Sequence, residues 1–103
     1  MVHIYNKAIR DKIPEIIEAS GKKYKIKTLT NDIFLIEIEK KLMEEVNEYY
    51  ESKSPDELAD ILEVIFRIAE LKGVSKADLE KILKNKKEKR GGFSKNLFLI
   101  ETD

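Results

Sequence analysis

Residues 44–60 read EEVNEYYESKSPDELAD, and five of their seven acids, Glu44, Glu45, Glu48, Glu57 and Asp60, are spaced so that they could face one another. On a helix, residues three or four apart are neighbours, so Glu45/Glu48 and Glu57/Asp60 each form a carboxylate pair on one face. Like charges that close destabilise a helix by a few tenths of a kcal/mol, at roughly the scale of one ion pair, unless a cation lies between them. Two such pairs on consecutive antiparallel helices, both near the intervening turn, can converge on one spot. An oxygen-only set suits Mg²⁺, or Mn²⁺, and not zinc. Mg²⁺ keeps several waters and accepts phosphate oxygens, so a phosphorylated substrate follows. Two plainer readings compete. The acids could form a solvated face, and Ser54-Pro55-Asp56-Glu57 is a capping box in which Glu57 would reach back to the Ser54 backbone.

The elements that must position these acids are four helices, which make a mainly α chain. The first lies near Asp11–Ala19, where Ile13, Ile16 and Ile17 share a face, Pro14 is tolerated in the first turn and Gly21 ends the run. The second runs from about Asp32 to Ser52, capped by Thr30 or Asn31. Its stripe of Leu35, Ile38, Leu42, Val46 and Tyr49 leaves Glu45 at the core's edge, Glu48 further round and Glu44 facing outward. The third starts at a Ser54 cap, with Pro55 in the first helical position and Gly73 after its end. It is apolar over most of its circumference, which calls for cover on several sides and points to a homo-oligomer, dimer or tetramer. Glu57 falls within that apolar arc and Asp60 at its margin, where a carboxylate needs a partner. The fourth runs from a Ser75 cap to about Lys89. Gly91-Gly92 breaks the chain. Lys22–Leu29 alternates basic and apolar residues and pairs, in this reading, with the C-terminal NLFLIET as a short two-stranded β element.

Composition narrows the rest. The 103 residues fit one domain, 1–103, and 20 Lys+Arg balance 20 Asp+Glu, which argues against nucleic acid as a partner. There is no cysteine and one histidine, His3, so thiolate chemistry and Cys- or His-based metal sites are excluded. No apolar run reaches the roughly 18 residues of a membrane span, and no signal-peptide core precedes the first helix. The expected setting is the cytoplasm.

Glu44-Glu45-x-x-Glu48 followed by Glu57-x-x-Asp60 resembles the signature of the all-α, MazG-like nucleoside triphosphate pyrophosphohydrolases. YNKAIRDKIPEIIEASGKK (residues 5–23) and KNKKEKRGGFSKNLFLIE (residues 84–101) resemble the ends of a small phosphoribosyl-ATP pyrophosphohydrolase-like, house-cleaning subgroup. These stretches lie between residues 5 and 101, so the resemblance spans nearly the whole length of the chain. Eight residues separate Glu48 from Glu57, a shorter gap than in typical members, which leaves less room for contacts to a base. The resemblance implies a four-helix MazG-like bundle and a Mg²⁺-dependent hydrolase that cleaves a nucleotide between its α- and β-phosphates, giving a monophosphate and pyrophosphate. It implies Glu45, Glu48, Glu57 and Asp60 as metal ligands, with Glu45 in the catalytic centre. Glu44 would orient the attacking water or act as its base.

Four carboxylates beside a triphosphate leave negative charge to offset. The sequence offers Lys7, Arg10 and Lys12 at one end and Lys86, Lys87 and Arg90 at the other, with Arg suited to forked phosphate contacts. Phe34, Tyr49, Tyr50 and Phe66 could stack a base, but at helical spacing they read as core. Glu63 and Arg67 read as a surface pair. The rival reading is a non-catalytic helical oligomer that binds a nucleotide or a partner protein. It tolerates loss of Glu45 and Asp60, which the enzyme does not.

Overall fold

A computed structural model describes residues 2–103, and within them the chain is mainly helical. Helix α1 spans Ile13–Ala19, α2 Asn31–Ser52, α3 Pro55–Leu71 and α4 Lys76–Arg90. The boundaries follow local chemistry. Ser54 and Ser75 each stand in extended backbone and accept a bond from the first turn, Ser54 Oγ from the Asp56 N–H at 3.2 Å and Ser75 Oγ from the Asp78 N–H at 3.1 Å. Pro55 lies in the first turn, where no N–H is missed. Thr30 caps α2 with its backbone alone.

The α2–α3 connection is the one that matters for the acids. Helix α2 stops because Lys53 turns left-handed, at φ 57°, and its N–H donates to the Tyr49 carbonyl at 2.7 Å. Such a conformation is strained for a side chain other than glycine. Here the Lys53 ammonium lies over the Tyr50 ring, 4.6 Å from its centroid, and this contact offsets part of the strain. Only Lys53 and Ser54 join the two helices, so α3 folds straight back along α2.

The core lies in that hairpin. Ile38 of α2 and Val64 of α3 are buried together with Ala8, and Phe34, Leu35, Leu42, Ile68 and Leu71 pack around them. Ala8 belongs to the N-terminal segment, which has no helix of its own and sets this one small side chain into the core. Helix α4 packs on α3, and α1 packs on none of the other helices. An apolar groove of about 360 Å³ runs along the α3–α4 side, lined by Leu42, Ile65, Ile68, Leu79 and Ile82 among others.

Much apolar surface is left outside. Ile36, Met43 and Tyr50 recur every seven residues along α2 and are exposed, as are Leu58 and Leu62 on α3. The radius of gyration is 18.0 Å, against about 13 Å for a closed domain of this length.

The β element expected of Lys22–Leu29 and the C-terminal segment is not formed among the described residues. Alternation makes a strand only when a second chain satisfies its backbone. Here both stretches run free, with Ile26 and Phe98 exposed. No helix among the described residues is long and apolar enough to cross a membrane.

Candidate metal centre

The inward direction of the acids is inherited from the core residues of the same helices. Glu45 follows Ile38 by seven residues, and Glu57 precedes Val64 by seven. Seven residues are close to two full turns, so each acid points the way its apolar counterpart points. Glu45 is accordingly 6% exposed, the one charged residue in the core among those described.

Around it the hairpin gathers every acid named from the sequence. Carboxylate oxygens of Glu44, Glu45 and Glu48 lie within 4.8 Å of one another, and so do those of Glu45, Glu57 and Asp60. Glu45 belongs to both groups and joins them. The Oε2 atoms of Glu45 and of Glu57 are buried and accept no hydrogen bond. For Glu45 an acceptor left in this state costs about 1–3 kcal/mol.

The capping alternative for Glu57 is not what the structure does. The Ser54 N–H that Glu57 would cap donates instead to Ser52 Oγ at 3.1 Å, and Glu57 turns toward the other acids. Burial, and then the charges of Asp60 and Glu45, raise the Glu57 carboxyl above its ordinary pKa. Burial followed by the Glu48 charge does the same to Glu45.

Glu44 behaves in the opposite way. It is half-buried and not outward-facing. Lys7 donates to its Oε1 at 3.0 Å, and Lys41 lies 3.6 Å away. The Lys7 hydrogen bond is the main reason its pKa falls and that of Lys7 rises. A carboxylate held ionised this way suits the orienting role better than that of a base.

Lys41 was not among the residues expected here. It lies 3.4 Å from Glu45 and stands three and four residues before the two glutamates it serves, a spacing that signals such a pair. Arg10 completes the near shell of cations, donating from Nη2 to Asp60 Oδ1 at 2.7 Å. Lys7 and Arg10 thus reach the acids from far away in sequence. Lys12, the N-cap residue of α1, and Lys86 and Arg90 on α4 are exposed and make no ion pair among the described residues.

Comparisons of the chain with protein-family models, with curated proteins and with solved structures return no match. The chemistry of the site therefore rests on its own donor set. It is all oxygen, it is carried on two helices, and two of its oxygens lack any partner. A hard divalent cation fits such a set, because it takes carboxylate oxygens and keeps waters at its open positions. Of the aromatic residues, Phe34 lines the core beneath Arg67 and Phe66 lies under Lys76. Of the four residues considered for base stacking, Tyr50 is the exposed one, beside the turn that carries the acids. Arg67 pairs with Glu70 and not with Glu63, the partner expected from the sequence.

Proposed function

We propose that this chain is a Mg²⁺-dependent nucleotide pyrophosphohydrolase of the MazG-like kind, which cleaves a nucleoside triphosphate or related nucleotide between its α- and β-phosphates. The observation that carries the reading is Glu45, a buried carboxylate with an unpartnered oxygen at the junction of two acid groups. A group so placed lowers stability unless a cation completes it. Glu45, Glu48, Glu57 and Asp60 would hold Mg²⁺, with Mn²⁺ able to replace it. The bound ion supplies charge neutralisation at the phosphates and a more acidic water. Glu44 orients that water; Lys7 and Lys41 keep it ionised in the metal-free protein, and Lys41, on the same helix, stays beside it. Arg10 and Lys7 stand near enough to offset phosphate charge, whereas Lys12, on the same segment, is exposed and touches none of the acids. Lys86 and Arg90, on α4, make no ion pair with the acids among the described residues. The test is release of pyrophosphate from a panel of nucleoside triphosphates and phosphoribosyl-ATP, with and without Mg²⁺. Metal-dependent release supports the reading, and its absence across the panel in a protein that folds would count against it.

The active form in this reading is a homo-oligomer. The exposed Ile36–Met43–Tyr50 stripe and Leu58 and Leu62 beside it form an apolar face of the hairpin with no cover from its own chain. Light scattering on the full chain should return a multiple of 12.0 kDa, and Leu62→Glu should reduce it to the single-chain mass. A monomeric wild type would exclude the oligomer.

A further inference from the structure

The N-terminal segment is held in place by little besides the acid cluster itself. Residues 2–9 make no backbone hydrogen bond among the described residues, and Asn6 turns left-handed at φ 46°. Ala8 is buried against Ile38 and Val64. On either side of it, Lys7 binds Glu44 at 3.0 Å and Arg10 binds Asp60 at 2.7 Å. The segment therefore lies across the opening between the two acid groups, with one cation on each.

Both pairs are partly exposed, and exposed pairs are weak and readily exchanged. Lys41 differs from them, since its place is fixed by its own helix. The Asp60 oxygen that Arg10 engages is on one of the residues that would hold the metal, and Glu44 is grouped with two others. A cation entering the cluster meets Lys7 and Arg10 as like charges at close range.

We propose that Lys7 and Arg10 are built-in counter-ions of the acid cluster, which a divalent cation must displace and which loosen the N-terminal segment as they leave. This rests on the metal reading above and adds a competitor to it. The released cations are then the nearest available to a polyphosphate, so metal binding prepares the site for its substrate.

The test is a Mn²⁺ titration of the full-length protein, following free Mn²⁺ by electron paramagnetic resonance with no nucleotide present. Lys7→Gln and Arg10→Gln are each expected to bind Mn²⁺ about three- to fivefold more tightly than wild type, the factor set by loss of one competing pair. Lys12→Gln removes the same charge from the same segment without touching an acid, and its affinity should stay within about twofold of wild type, as expected of a screened charge. In wild type, Mn²⁺ should also speed tryptic cleavage at the Lys7–Ala8 bond. Equal shifts in all three variants, no shift in any, or a cleavage rate unchanged or slowed by Mn²⁺ would overturn the proposal. If wild type binds Mn²⁺ and Glu45→Gln does not, yet Arg10→Gln matches wild type, the counter-ion role fails and the metal site stands. If wild type binds no Mn²⁺, both fall.

Discussion

Glu45→Gln is expected to abolish metal-dependent turnover and, in the same protein, to raise the melting temperature measured in chelator. The loss should exceed about a hundredfold in kcat/KM, because a residue shared by both acid groups sets the position of any ion between them, and metal stabilisation of a phosphoryl transition state is worth several kcal/mol. The gain comes from the same burial. When ionised, Glu45 is an anion in the core beside Glu48, and the amide removes that charge while keeping the shape. About 1 kcal/mol is expected, or roughly 4–8 °C for a chain of this size. The pH dependence follows with a definite sign. Glu45 and Glu57 titrate above their ordinary range in the folded state. The folded protein therefore holds protons that the unfolded chain has lost, and metal-free stability falls as pH rises from the ordinary carboxylate pKa, about 4.3, through the raised one. Glu44 acts in the opposite direction, since its contribution is present above the ordinary value and lost as pH falls through the lowered one. Thermal melts in chelator from about pH 4 to pH 8 should show the fall in wild type and a shallower one in Glu45→Gln. An unchanged melting temperature together with unchanged turnover would remove Glu45 from the site.

Ile38→Ala should be the most destabilising of simple truncations, at about 2–4 kcal/mol by the range for buried isoleucine. Ile38 is one of three residues in the core, and its neighbours Ala8 and Val64 come from the N-terminal segment and from α3. Its loss loosens the hairpin and the segment together. For a domain of this size the cost is a large share of total stability, about 5–15 kcal/mol. Urea unfolding at fixed protein concentration measures it. Ile36→Ala is the control, because Ile36 is exposed in the single chain. A cost for Ile36→Ala that approaches that of Ile38→Ala, and that shrinks as the protein is diluted into single chains, would show this face to be buried between copies. If Ile38→Ala costs less than about 1 kcal/mol, the low end for any buried methylene loss, the core described above is not what holds the hairpin.

Helices, caps and the acid cluster were legible because each depends on residues within a turn or two of one another. Ser54, Pro55 and Ser75 mark their helix starts by local hydrogen-bonding chemistry, and Glu45 and Glu57 follow from the 3.6-residue period. Lys41 was equally legible by that rule. What could not be read was the seat of the N-terminal segment. Its contacts, Lys7 to Glu44 and Arg10 to Asp60, span 37 and 50 residues, and an unpatterned segment gives no period from which to place it. The β element fails for a related reason. Lys22–Leu29 has the alternation of a strand, but alternation says which face would be buried and nothing about whether a partner lies alongside. Glu63–Arg67 shows a third limit: spacing permits a pair at i+4, and Arg67 has another at i+3 in Glu70.

The two seven-residue intervals, Ile38 to Glu45 and Glu57 to Val64, carry a consequence for how this gene can vary in length. One codon inserted or deleted within either interval turns the acid by about 100° against its core residue. The helix would still form, but the apolar residues beyond the change, Val46 and Tyr49 in α2, turn with the acid, so site and stripe lose their common register together. The same event beyond Gly91, where the chain is extended and exposed, shifts nothing that the hairpin depends on. Single-codon changes should therefore be tolerated in the last dozen or so residues and purged from both intervals.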